Sequence, residues 1–224
     1  MRKRITEKFL KGIMKELKYE ILDFFKQTKG NDLPTTYRER QFHSVLFPAI
    51  YHISDITMLE QPAQRRRKRD RKSDKKGHGW IDYWVYLKKE NIDFIIEVKH
   101  AFHSVNSKKV TKQIQKRWEN AKTQINSLSL KDTKEISISN KAPIKIALLF
   151  IQTFESSKYK GFDCPRQSQL ENHFQNIASQ LNPKPDICKN WYYPPKLLKN
   201  FDYSDKQGKN FERYYSLELF AYIK

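Results

Sequence analysis

The segment from Gly77 to Lys99 constrains this chain more than any other part of it. Two runs rich in aromatic and β-branched residues, Trp80-Ile81-Asp82-Tyr83-Trp84-Val85-Tyr86-Leu87 and Ile92-Asp93-Phe94-Ile95-Ile96-Glu97-Val98-Lys99, flank the polar stretch Lys88-Lys89-Glu90-Asn91. That pattern predicts a β-hairpin. With Lys89 and Glu90 as the loop, Lys88 faces Asn91, Leu87 faces Ile92 and Tyr86 faces Asp93. A loop running from Lys88 to Asn91 gives the same register. Carried along the strands, it sets Asp82 opposite Glu97. Side chains alternate between faces, so Lys99 shares a face with both carboxylates. Opposed carboxylates repel unless a cation lies between them. A divalent metal, with a lysine beside it to handle a water, suits the arrangement.

Asp82 followed by Glu97-Val98-Lys99 on an antiparallel hairpin resembles the PD-(D/E)xK nuclease superfamily, whose members share the restriction-endonuclease-like fold. The resemblance implies that Asp82 and Glu97 bind a catalytic metal, Mg2+ or Mn2+, and that the carbonyl of Val98 adds a ligand. Lys99 would position or deprotonate the attacking water. Ile81 stands where the family has a proline, a residue that carries no chemistry. Acidic-x-Lys triplets also begin at Glu16, Asp70, Asp74 and Asp132. The first lies in an amphipathic helical stretch, the next two in a charged run and the last in a polar loop. Only Glu97 follows an apolar strand with an aspartate on its hairpin partner.

The flanking segments follow the superfamily's order of elements. Upstream, residues 37–47 place Phe42, Val45 and Leu46 at helical recurrence, and Pro48 is expected to interrupt or kink the helix. The family commonly sends an acidic residue from this helix to the metal, and Glu39 is the match; an exposed Glu39 paired with Arg38, Arg40 or His43 is the alternative. Downstream, residues 107–128 read as a helix with Val110, Ile114, Trp118, Ala121 and Ile125 along one face. Gln113 fits the glutamine or lysine that many members carry there. The apolar run 142–151 predicts a central strand covered on both faces. A helix over 167–181, stopped by Asn182-Pro183, and a late strand over 211–223 complete the outline. The expected class is α/β, with a restriction-endonuclease-like core whose mixed β-sheet is flanked by helices.

The chain has 224 residues, enough for one sizeable core. Ile5, Phe9, Ile13, Leu17, Ile21 and Phe24 mark a separate amphipathic helix within residues 1–29, which packs on the core or makes a homodimer contact. The nuclease-like domain is then 30–224. No apolar run approaches the length of a membrane helix, and the N-terminus lacks the uninterrupted apolar stretch of a secretion signal. The two cysteines, Cys164 and Cys188, form no disulfide framework, which fits a reducing, cytoplasmic setting.

Charge narrows the partner. With 44 Lys and Arg against 25 Asp and Glu, the chain carries +19, which favours a polyanion through counterion release. Residues 65–76 alone hold nine basic and two acidic side chains, a local +7, and end just before Gly77. This run, with Arg65, Arg66, Arg67, Lys68, Arg69, Arg71 and Lys72, is expected to be a loop that straps a phosphate backbone against the metal site; a localisation signal or a solvated loop is its alternative. Lys108, Lys109, Lys112 and Lys116 add to the field. His100 and His103 are expected to contact phosphate or solvent, and His78 to lie near Asp82. The cluster Trp191-Tyr192-Tyr193-Pro194-Pro195 reads as a packed surface turn, with base stacking as the alternative. No Gly-x-Ser-x-Gly elbow, P-loop, dinucleotide fingerprint or zinc spacing is present. The expected activity is metal-dependent hydrolysis of phosphodiester bonds, in DNA ahead of RNA. The competing expectation is a basic nucleic-acid-binding or assembly protein that keeps the fold without cutting.

Overall fold

A computed structural model of the protein describes residues 2–37, 39–66, 76–128, 133, 137–158, 164–205 and 208–224. Within them lie four α-helices, α1 (Arg2–Gln27), α2 (Glu39–Tyr51), α3 (Lys112–Ser127) and α4 (Gln167–Gln180). Seven strands accompany them: β1 (Ile56–Arg66), β2 (Lys76–Leu87), β3 (Ile92–Ser104), β4 (Ile144–Ser157), β5 (Ile187–Tyr192), β6 (Phe201–Asp205) and β7 (Gly208–Ile223). They form one open mixed sheet in the order β1-β2-β3-β4-β7-β5, with β6 beside β7. Only the β3–β4 pairing is parallel. A parallel pair needs a crossover connection, and α3 provides it.

Alternation along the central strands creates two cores. Phe94, Ile96 and Val98 of β3, with Ile146, Leu148 and Phe150 of β4, pack under α1 and α2. Ile95, Leu149 and Ile151 turn to the other face, where α3 contributes Ile114, Trp118, Ala121 and Ile125, and α4 contributes Phe174 and Ile177. Helix α1 therefore belongs to the first core, and its Phe9 ring stacks on Phe94 with centroids 4.4 Å apart. Among the described residues no helix is long and apolar enough to cross a membrane.

The β2–β3 hairpin has the register read from the sequence, with Leu87 on Ile92 and Tyr86 on Asp93. Its turn spans Lys88 to Asn91, and Asn91 takes φ 49°. Three expectations change. Pro48 lies inside α2 without ending it, because Ala49 and Ile50 beyond it are buried in the first core. Helix α3 starts at Lys112 rather than near Ser107, since the Thr111 hydroxyl caps it by accepting from the Ile114 amide at 3.2 Å. The aromatic cluster at 191–193 is not a turn. Trp191 and Tyr192 lie in β5, and the Tyr193 hydroxyl is buried between Thr35 and Gln152.

Candidate active site

The β2–β3 ladder runs only from the turn to Tyr83 and Ile96. Past that pair, β2 continues beside β1 to Lys76 while β3 continues beside β4 to Ser104. The sheet forks where Asp82 and Glu97 would next have paired. A forked strand leaves main-chain donors and acceptors without ladder partners, and buried ones must be satisfied in another way. Side chains take over here. The Val98 amide donates to Asp82 Oδ2 at 2.7 Å, and the Val98 carbonyl accepts from Lys99 Nζ at 2.7 Å. Two residues on, the His100 amide donates to Glu39 Oε2 at 3.0 Å and the His100 carbonyl accepts from Arg117 Nη1 at 2.6 Å. Strands β2 and β3 and helices α2 and α3 thus each send a side chain to one short stretch of backbone.

Local geometry turns Asp82 toward that stretch. Ile81 and Trp84 both pack in the α3-side core, while Tyr83 between them packs in the opposite one. Strict alternation is therefore broken at Asp82. On β1, Glu60 lies between the paired residues Leu59 and Gln61 and has φ 49°. The irregularity lets the Asp82 carboxylate replace a ladder partner for Val98.

Lys99 is the centre of the charge. Its ammonium lies 3.2 Å from Glu97 Oε1, 3.4 Å from Glu39 Oε1 and 4.0 Å from Asp82 Oδ2, besides the Val98 carbonyl. Arg117 stands 3.6 Å from the second oxygen of Glu39. Three carboxylates face two cations here, an acidic pocket within a strongly basic chain. Glu97 is 2% exposed. Burial pulls the Lys99 ammonium down, but Glu97, Asp82 and Glu39 more than reverse this, and its pKa lies above the ordinary lysine value. Of the three acids, Asp82 lies farthest from the ammonium. Burial raises its pKa, and Glu39 adds to that, against the pull of Lys99, the Val98 amide and His43. Burial also holds His43 below the ordinary histidine value; its Nδ1 lies 2.5 Å from the hydroxyl of the fully buried Tyr83.

The expected residues Asp82, Glu97, Val98, Lys99 and Glu39 converge at the fork. Gln113 does not join them; it is exposed in the first turn of α3 and makes none of the site's bonds. Arg117, one turn further on, reaches the site instead. His100 and His103 are buried rather than solvent-facing, each 1% exposed. The His100 ring stacks on Phe42 at 4.8 Å and burial drives its pKa down to about 3, while His103 pairs with His173 across the other face. The backbone of Arg65 and Arg66 forms the end of β1, paired with Gly77 and Lys76. Arg67, Lys68, Arg69, Arg71 and Lys72 lie outside the described residues, and the side chain of His78 does too. Two site residues escape a reading of the sequence. His43 is one helical turn after Glu39, and Arg117 is one turn after Gln113, so i+4 spacing is the signal that would have found each.

Among the described residues no group of three or more His, Cys, Asp or Glu stands at metal-binding spacing; the acids gather round the Lys99 ammonium. No protein-family model, curated protein or solved structure matches this chain.

Proposed function

We propose that the protein is a metal-dependent nuclease of restriction-endonuclease-like fold that hydrolyses phosphodiester bonds, in DNA ahead of RNA. The observation that carries this reading is the convergence of Asp82, Glu97, Glu39 and the Val98 carbonyl on the single cation of Lys99 at the fork. All four donors are oxygens, the ligand type that Mg2+ and Mn2+ accept, so the residues fit the metal that the family resemblance implies. Asp82, Glu97 and the Val98 carbonyl would hold it, with Glu39 beside them. Bound there, such an ion lowers the pKa of a water and offsets charge on the scissile phosphate. The chain's own residues supply the rest. Lys99 offers an ammonium with a raised pKa, charged across the neutral range, to orient a water or meet a phosphoryl oxygen. Arg117 fixes Glu39 and the His100 carbonyl, and so holds the open edge of β3 in shape.

A specific observation favours a second reading. The main-chain amides and carbonyls of Val98 and His100 at the fork are already bonded to side chains of the chain itself, and a protein that binds nucleic acid without cutting it would keep such a network. Incubation with supercoiled, linear and single-stranded DNA and Mg2+ separates the two. Cleavage by the wild type, lost by on the order of 10²-fold or more in Asp82→Ala, Glu97→Ala and Lys99→Ala proteins that stay folded, is the expected result. Binding without cleavage, or full activity in two of the three variants, means the nuclease reading is wrong.

A further inference from the structure

Beyond the fork the two strands diverge, and each carries an aromatic ring to the surface. Trp80 lies on β2 two residues before Asp82, about 7 Å along the strand, and is 60% exposed. Its cross-strand partner on β1, Pro62, is exposed as well. Phe102 lies on β3 three residues past Lys99 and is 37% exposed. Its ring is braced from behind: it meets His100 edge-on at 4.9 Å and 75°, and Phe154 edge-on at 6.3 Å and 88°. His100 in turn stacks on Phe42. One ring of the pair therefore rests on a fixed aromatic base, and the two stand on the separate arms that leave the carboxylates.

We infer that Trp80 and Phe102 form a stacking platform for unpaired nucleotides, so that the favoured ligand is single-stranded or locally unpaired nucleic acid. Charge complementarity selects the partner class. A chain of +19, whose β1–β2 ladder ends at Arg65, Arg66 and Lys76, attracts a polyanion. Aromatic faces select within that class, because a base offers its π-face only when it is not sandwiched in a duplex. The choice of substrate rests on the nuclease reading; the binding does not.

The test is equilibrium binding by fluorescence anisotropy, in EDTA and at fixed salt, with the full chain. The probes are a labelled single strand and a blunt duplex of the same sequence. The wild type should prefer the single strand. Trp80→Ala should lose on the order of tenfold in affinity for the single strand and little for the duplex, from the stacking of one base. Trp80→Phe should recover most of the loss, and Phe102→Ala should act in the same direction as Trp80→Ala. Because Trp80 is exposed, its replacement should leave the melting temperature in place, so it decides the matter even if Phe102→Ala folds poorly. An unchanged single-strand affinity, or an equal loss for strand and duplex, overturns the inference. So does a wild-type dimer that Trp80→Ala converts to monomer in sedimentation, which would make the platform a contact between copies. EDTA prevents turnover, so an inactive protein would refute the nuclease reading while leaving this result to stand or fall by itself.

Discussion

At Lys99 one ammonium meets oxygens from four residues, and a hard divalent ion would compete for the same oxygens. Lys99→Met should therefore separate binding from chemistry. It removes a resident cation, and a charge at 4 Å is worth ~4 kcal/mol at an effective dielectric of about 20. Calorimetry should show Mn2+ binding more than about tenfold tighter, while cleavage is lost; unchanged or weaker Mn2+ affinity would mean that the metal does not use these oxygens. Glu97→Gln acts the other way: with a metal at the proposed site, Mg2+ should raise the melting temperature of the wild type and leave that of the variant largely unmoved. A second carboxyl tests pH. Glu218, in β7, is fully buried, its Oε1 bonded by the Thr153 and Ser216 hydroxyls and its Oε2 unpartnered. Burial raises its pKa to about 7 from an ordinary 4.5. A raised folded value means stability that is complete below pH 4.5 and lost as pH climbs through about 7. Glu218→Gln should lack that decline, so across this interval the wild type should lose about 3 kcal/mol relative to the variant in urea titrations. Parallel curves would mean that Glu218 ionises normally.

The central elements were legible because burial imposes a period. Every strand residue of the β2–β3 hairpin from the turn to Tyr83 pairs as alternation and turn chemistry require. Helices α1, α3 and α4 announce themselves through one apolar face each, and β4 through a largely apolar run. Strand β1 was not legible. It is an edge strand whose adjacent Met58 and Leu59 are both exposed, with Pro62 beyond them, so neither a buried face nor a period of two is written into it. Strands β5 and β6 are short pieces on the far side of β7, with the same lack of pattern. The carboxylates and Lys99 could be read because one hairpin supplies them. Arg117 could not, since an arginine on a helix rich in lysine and glutamine looks like any solvated cation until β3 is placed beneath it. The β1–β2 arm carries its own prediction. Replacing Arg65, Arg66, Arg67, Lys68 and Arg69 with Gln should flatten the slope of log affinity against log salt by roughly 0.9 for each phosphate that is no longer neutralised. The melting temperature should barely move, and an unchanged slope would direct the nucleic-acid path to Lys108–Lys116.

For the whole molecule, the docking of α1 decides whether the N-terminal helix is an appendage or part of the fold. Phe9 is stacked on Phe94, two residues from Ile96 where the ladder ends. Phe9→Ala should cost about 3–5 kcal/mol, as for other buried phenylalanines, and do so in a single cooperative transition. A separate early transition would show that α1 unfolds independently. The fork also fixes the order in which the molecule matures. The Val98 amide is held by a side chain 16 residues away and the His100 amide by one 61 residues away. The Val98 proton is protected from exchange with solvent only once Asp82 of β2 is in place, and the His100 proton only once Glu39 of α2 is. In pulse-labelling during refolding these two amides should gain protection after those of the hairpin turn. The long-range attraction of +19 needs no such assembly. On the proposed nuclease reading, a nascent or half-folded chain would already hold a polyanion at a stage when its three carboxylates have not yet been gathered, so attachment would precede reactivity.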